Sequence, residues 1–203
     1  MTGPTVDLFG PARALDIEYL HEDLAHRAAA EGLLDVAYRV VDSPLGPLLL
    51  AATEVGLVRV AFERQDHDAA LEELARKVSP RVLRAPARLD AAARELEEYF
   101  AGERTAFDLP LDLTLAAGFR RVVLDVLSGI AFGTTRSYAG VAQAAGSPRA
   151  VRAVGTACAR NPVPLVVPCH RVVRSDGGFG QYAGGPEAKG RLLELERAAK
   201  VGA

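Results

Sequence analysis

The chain has no tryptophan, one methionine and only two cysteines in 203 residues. Cys158 and Cys169 are too few for a disulfide framework in a chain of this length, so they read as reduced thiols, one of them a candidate reactive group. None of the four histidines (His21, His26, His67 and His170) joins a cysteine pair at metal-ligand spacing, so no metal and no cofactor is expected. No apolar run is long enough to span a bilayer. Met1 to Gly10 lacks the basic-then-apolar order of a signal peptide. The expectation is a cytoplasmic, monomeric protein with no membrane partner.

Excess charge of either sign is also missing, because the net is −2. That average hides a split. Residues up to Ala117 carry 12 Lys and Arg against 21 Asp and Glu, while those from Gly118 carry 12 against 5. A basic C-terminal half joined to an acidic N-terminal half points to a polyanion as the partner of one domain. Solvated helix faces would give the same split, so charge alone does not name the partner.

The hydrophobic pattern divides the chain into a leader over 1–34, an N-terminal α/β domain over 35–115 and a helical domain over 116–200, an α+β fold. Ile17, Leu20, Leu24 and Ala28 recur at helical spacing and predict an amphipathic helix from Pro11 that ends near Gly32. It either packs on the domain or contacts a partner. Val36 to Val40, Leu48 to Ala52 and Leu57 to Phe62, separated by Ser43-Pro44-Leu45-Gly46 and Glu54-Val55-Gly56, predict a three-stranded antiparallel meander. Helices are expected over 68–78 and 89–100, a short strand over 81–84, and extended chain over 105–113.

From Gly118 the texture becomes helical. Phe119 to Ile130 predicts one helix, containing Val122, Val123, Val126 and Leu127. Ser137 caps a second over 138–145. Ser147 as cap and Pro148 at the first helical position predict a third, ending near Ala159. Two short helices joined by a glycine turn resemble a helix-turn-helix, although many helical pairs do. The third helix combines small residues, Ala150, Val151, Ala153, Gly155 and Ala157, with Arg149 and Arg152. Small residues permit close approach to another surface, either a neighbouring helix or a ligand.

Pro168-Cys169-His170-Arg171 is the most informative run. A free cysteine, with a pKa of about 8.5, is mostly protonated at neutral pH. It needs a base, a cation or a helix N-terminus to become a nucleophile. His170 and Arg171 supply the residue types. Neighbours on a strand face opposite sides, so Cys169 and His170 meet only across a turn or a bridging water. A buried cysteine beside a capping histidine is the alternative.

The surrounding residues closely resemble the O6-alkylguanine-DNA alkyltransferase family. The matching runs are Pro168 to Val173, Asp176 to Gly180, Tyr182-Ala183-Gly184-Gly185 and Leu192-Leu193-Glu194-Leu195-Glu196, with Ser137-Tyr138 and Arg152-Ala153-Val154-Gly155 before them. The likeness runs from Phe119 to Glu196 and extends more weakly to Ser43 to Gly46. It implies a ribonuclease H-like N-terminal domain and a winged-helix-like C-terminal domain. It also implies that Cys169 accepts an alkyl group from O6 of guanine in duplex DNA and is consumed in one turnover.

The resemblance further implies that His170 removes the thiol proton through a water, that Glu196 orients His170, and that Asn161 holds the active-site turn. The DNA surface would comprise Arg149, Ala150, Val151, Arg152, Ala153, Gly155 and Tyr138, with the helix in the minor groove and Arg152 filling the gap of the flipped base. The base pocket would comprise Tyr138, Val172, Tyr182, Ala183 and Cys158. Relatives often have Ser where Ala183 stands, so a hydroxyl is lost here. A silent relative that only binds alkylated DNA would carry Trp in place of Cys169, and the chain has none. A metal-dependent regulator would need more cysteines. A thiol hydrolase would need an oxyanion hole that no motif announces.

Overall fold

The computed structural model describes residues 17–201. The first helix, α1, spans Ile17–Ala30, and its predicted start at Pro11 lies outside the described residues. Three strands follow: β1 Val36–Val41, β2 Leu48–Ala52 and β3 Leu57–Phe62, then α2 His67–Lys77, β4 Val82–Arg84 and α3 Asp90–Phe100. The meander forms as expected, with β2 antiparallel to both β1 and β3. The fourth strand pairs in parallel with β1, Val36 opposite Val82, which makes a mixed sheet of order β3-β2-β1-β4.

Every residue of β2 is buried because the sheet is covered on both faces. Leu49 and Ala51 pack toward Ala70 and Leu74 of α2. Leu48, Leu50 and Ala52 join Leu96 and Tyr99 of α3 in the main core. That core continues without a break into the C-terminal half through Val123, Leu124, Leu127 and Leu192. The two halves are therefore packed together. The expected extended segment over 105–113 forms no strand and makes only a bridge from Leu111 to Leu57.

Two amphipathic expectations are corrected. In α1 the buried residues are Ala25 and Ala28, set against Leu34, Ala37 and Ala85, while Leu20 and Leu24 stay 46% and 52% exposed. In the next helix, α4 Phe119–Ser128, Val122 is exposed and Leu124 takes its place in the core.

After α4 come β5 Arg136–Ser137, α5 Tyr138–Ala144, α6 Val151–Ala159, β6 Val172–Val173 and α7 Gly185–Val201. Ser137 caps α5, its Oγ accepting from the Gly140 N–H at 3.0 Å. The third predicted helix begins later than expected. Residues 147–150 form a turn closed by Ala150 N–H to the Ser147 carbonyl at 2.9 Å, and Ala150, not Ser147, precedes α6. Among the described residues no helix is long and apolar enough to cross a membrane.

Candidate active site

Four pieces of chain build the site. Cys169–Arg171 is a single 3-10 turn between the Asn161–Pro168 loop and β6. That turn supplies the break in strand geometry that places Cys169 and His170 in one neighbourhood. Helix α7 presents Ala188, Lys189, Leu192, Leu193 and Glu196 inward, a stripe at helical spacing. Tyr99 arrives from α3 in the N-terminal half.

Cys169 is 1% exposed. Its Sγ lies 3.2 Å from Asn161 Nδ2, which also donates to the Val167 carbonyl at 2.8 Å. Asn161 Oδ1 accepts from the Val163 N–H at 3.1 Å, so this one side chain ties both sides of the loop to the sulfur. Leu165 sits within that loop at φ 76°, a conformation a non-glycine residue adopts only when its surroundings enforce it.

Burial pushes the Cys169 thiol up to about 11, against the hydrogen bond from Asn161 and the positive charge of Lys189. The resting sulfur is therefore a thiol, and its proton must leave as reaction begins. The cation expected beside it was Arg171. The structure instead uses Arg171 to bind Glu196 and, at 2.6 Å, the Ile130 carbonyl. The cation that acts on the sulfur is Lys189, which is fully buried, donates to the Val172 carbonyl and lies 5.9 Å from the centre of the Tyr138 ring.

Glu196 is the hub. One oxygen lies 2.8 Å from His170 Nε2 and 2.8 Å from the donating Tyr99 hydroxyl; the other accepts from the Gly133 N–H at 3.0 Å. The Arg171 guanidinium adds donors at 2.9 to 3.1 Å. Burial alone would raise this carboxyl, but the bonds from His170 and Arg171 outweigh it and bring it down to about 2. An ionised Glu196 can only accept, so His170 Nε2 carries the proton and Nδ1 holds the free lone pair. Burial depresses His170 below its ordinary value, with Glu196 opposing, so the ring is neutral and basic at Nδ1 at physiological pH. Nδ1 is buried and has no hydrogen-bond partner among the described residues.

Tyr138 is the first residue of α5. Burial and the nearby sulfurs of Cys158 and Cys169 push its phenol up to about 12, so it stays protonated and can donate. The glycine-rich stretch turns back at Arg174–Gly178 and lays Gly180 on Tyr138; a Cβ at Gly180 would collide with the phenol. Tyr182 is buried between His170 and Phe62, with ring centroids 6.2 and 5.6 Å away. Val172 is buried nearby, Ala183 packs against the same core, and Cys158 is a core residue of the inner α6 face.

Tyr138, Val151, Arg152, Gly155 and Arg160 line an open cleft of about 800 Å³ on the protein surface. Arg149, Arg152 and Ala153 are exposed and Ala150 is half-buried. A Cβ on Gly155 would meet no atom of the protein, so this glycine is not small for the sake of internal packing.

The burial has a direct consequence. Neither thiol of the folded chain should react with a bulky disulfide reagent at neutral pH, whereas the unfolded chain should release two equivalents. Rapid titration of one thiol without denaturant would show that Cys169 is more open than this geometry allows.

The residues 118–198 match the family profile described as 6-O-methylguanine DNA methyltransferase, DNA binding domain, and 36–113 match its ribonuclease-like domain. A methylated-DNA–protein-cysteine methyltransferase of Mycolicibacterium paratuberculosis is 40% identical over 162 residues, 80% of this chain and 93% of that protein. The constitutive one of Bacillus subtilis is 39% identical, over 79% of this chain and 94% of its own. Among solved structures, the Mycobacterium tuberculosis O6-methylguanine methyltransferase superposes with a TM-score of 0.72 at 38% identity, covering 81% of this chain and 94% of that one. A Mycobacterium tuberculosis OGT in complex with DNA gives 0.71 at 38% identity, covering 80% and 94%.

Proposed function

The chain belongs to the 6-O-methylguanine DNA methyltransferase family, and from that premise we propose that it repairs DNA by moving an alkyl group from O6 of guanine to its own Cys169. The observation that carries this reading is the buried contact of Glu196 with His170, next in the chain to the Asn161-held thiol, in the same half as the cleft that Tyr138 and Arg152 line.

The chemistry follows from the protonation states. Glu196 stays ionised and holds His170 with Nδ1 free. The Cys169 proton passes to Nδ1 through a bridging water, and Glu196 stabilises the imidazolium that forms. Sγ then bonds to the alkyl carbon while the carbon–O6 bond breaks. The electron pair left on O6 enters the purine, which takes up one proton to become guanine. The Tyr138 hydroxyl, held as a donor, supports that departure. The thioether has no easy leaving path, so one chain serves one lesion.

The flipped base must be traded for something in the stack, at roughly a few kcal/mol. Arg152 is exposed on α6, whose outward residues are small, and this fits insertion into a narrow groove. Arg152→Ala should slow transfer from duplex DNA about ten- to a hundred-fold and leave reaction with free O6-benzylguanine within about two-fold. Equal losses on both substrates would remove Arg152 from base extrusion.

The repair reading itself is tested by titration. Increasing amounts of protein are mixed with a fixed excess of duplex carrying O6-methylguanine. The lesions removed should rise in proportion to protein and stop at one per chain. Continued turnover, or no removal, would reject it.

A further inference from the structure

A second cleft, of about 390 Å³, lies where the two halves of the chain meet. Strand β3 is an edge strand, and its Val60 N–H donates to the Pro162 carbonyl at 2.8 Å. That bond sets Arg59 beside the Asn161–Pro162 loop. Arg120 from α4, Arg160 from the end of α6 and Lys77 from α2 line the same opening. These four cations face a single carboxylate, Glu73.

Glu73 cannot neutralise them. One of its oxygens is taken by Lys77 at 2.6 Å, and the other is only a loose partner of Arg59 at 3.6 Å. Arg120 gives one nitrogen to the Leu115 carbonyl. The Nε atoms of Arg59 and Arg120 are both buried and have no hydrogen-bond partner among the described residues. Buried donors are normally satisfied, so two guanidiniums that each keep an idle donor line one opening short of acceptors. Burial holds Arg59 below its ordinary value, with Glu73 opposing.

Ala159 and Arg160 line both this cleft and the larger one that contains Tyr138 and Arg152. The two are therefore neighbours on the surface. The N-terminal half is acidic overall, yet two of its cations, Arg59 and Lys77, are placed at this boundary.

We infer that the cleft formed by Arg59, Lys77, Arg120 and Arg160 binds a backbone phosphate of the substrate DNA, so that the N-terminal half takes part in holding the strand. This rests on the repair reading and adds a contact outside the helix-turn-helix. The planar guanidinium donors suit the paired oxygens of a phosphodiester. A free phosphate has the same chemistry, but only a strand engaged at Arg152 arrives with a phosphate already tethered nearby.

The test is the salt dependence of binding to undamaged duplex, read by fluorescence anisotropy. Each phosphate neutralised contributes about 0.9 to the slope of log affinity against log salt concentration. Arg59→Gln with Arg120→Gln should lower that slope by about 0.9, the share of one phosphate, and Lys77→Gln by no more than the same amount. Glu73→Gln removes the opposing charge and should tighten binding several-fold, a change that lost stability would not produce. The Lys77 and Glu73 variants alter partly exposed side chains, 51% and 30%, and keep the test valid if the double arginine variant fails to fold. Slopes equal to that of the unchanged chain would overturn the inference. So would unchanged slopes with inorganic phosphate raising the melting temperature only when these arginines are present, which would make the cleft a free-anion site. If alkyl transfer persists in either case, only the cleft assignment falls; absence of transfer in the unchanged chain would strike the repair reading instead.

Discussion

Cys169→Ala abolishes alkyl transfer, by about four orders of magnitude or more, while affinity for lesion-bearing duplex stays within a few-fold. The two effects separate because the sulfur is 1% exposed and touches Asn161, not the cleft that Tyr138 and Arg152 line. Removing one buried sulfur leaves a small void and an Asn161 amide that keeps its bond to the Val167 carbonyl. The expected cost is about 1–2 kcal/mol, within what a folded domain tolerates. Cys158 cannot substitute, because it belongs to the inner face of α6 and burial holds its thiol far above the ordinary range. Gel shift and transfer assays on the same preparation check both halves of the expectation. Residual transfer would place the nucleophile elsewhere.

Glu196→Gln has the second largest expected effect, and it acts on stability and chemistry together. The amide keeps the shape but loses the charge that His170 and Arg171 pair with, leaving Arg171 buried beside a neutral group. Breaking a buried pair in this way costs about 3–5 kcal/mol. An amide can also donate to His170 Nε2, turning the ring so that Nδ1 carries the proton and accepts none. Transfer should fall by about 10²–10⁴. Joint replacement, Glu196→Gln with Arg171→Met, should recover part of the stability in urea unfolding and none of the transfer. Recovery of both would make Glu196 a structural residue only.

The same carboxylate fixes an acid dependence. The Glu196 carboxyl is lower in the folded chain, about 2, than the ordinary 4.5, so its stabilisation is complete above about pH 4.5 and is lost as pH falls toward 2. His170 is likewise lower when folded than its ordinary 6.5, so stability also declines as pH drops below that value. Both slopes have the same sign. In Glu196→Gln the lower limb should shrink, and what remains belongs to Asp35 and Glu73, whose carboxyls Arg81 and Lys77 also hold low.

Much of the site was legible because it is local. Cys169, His170 and Arg171 are consecutive, Asn161 lies eight residues away, and Glu196 ends a recognisable helical run. The sheet was legible because its turns carry Pro and Gly between apolar runs. The roles of single charges were not. Arg171 looked like the cation for the sulfur, yet a guanidinium with a buried carboxylate in reach is better satisfied there, and the sulfur's cation is Lys189, twenty residues on. In sequence, Lys189 is an ordinary helix lysine; only the folded stripe of α7 places it inside. Tyr99 had no signal beyond an aromatic on an amphipathic helix, because its contact with Glu196 spans 97 residues. The start of α6 was misplaced because Ser147-Pro148 has the composition of a helix cap and also of a turn, and the turn won. The leading face of α1 was misplaced because periodicity marks a stripe without marking which side of it meets the sheet.

The most direct measurement is peptide mapping by mass spectrometry after the protein has met duplex DNA containing O6-methylguanine. The expected spectrum shows one added methyl on the peptide that holds Cys169 and none on the one that holds Cys158. A peptide carrying an unmodified Cys169 after the lesion has been consumed would contradict the proposed chemistry.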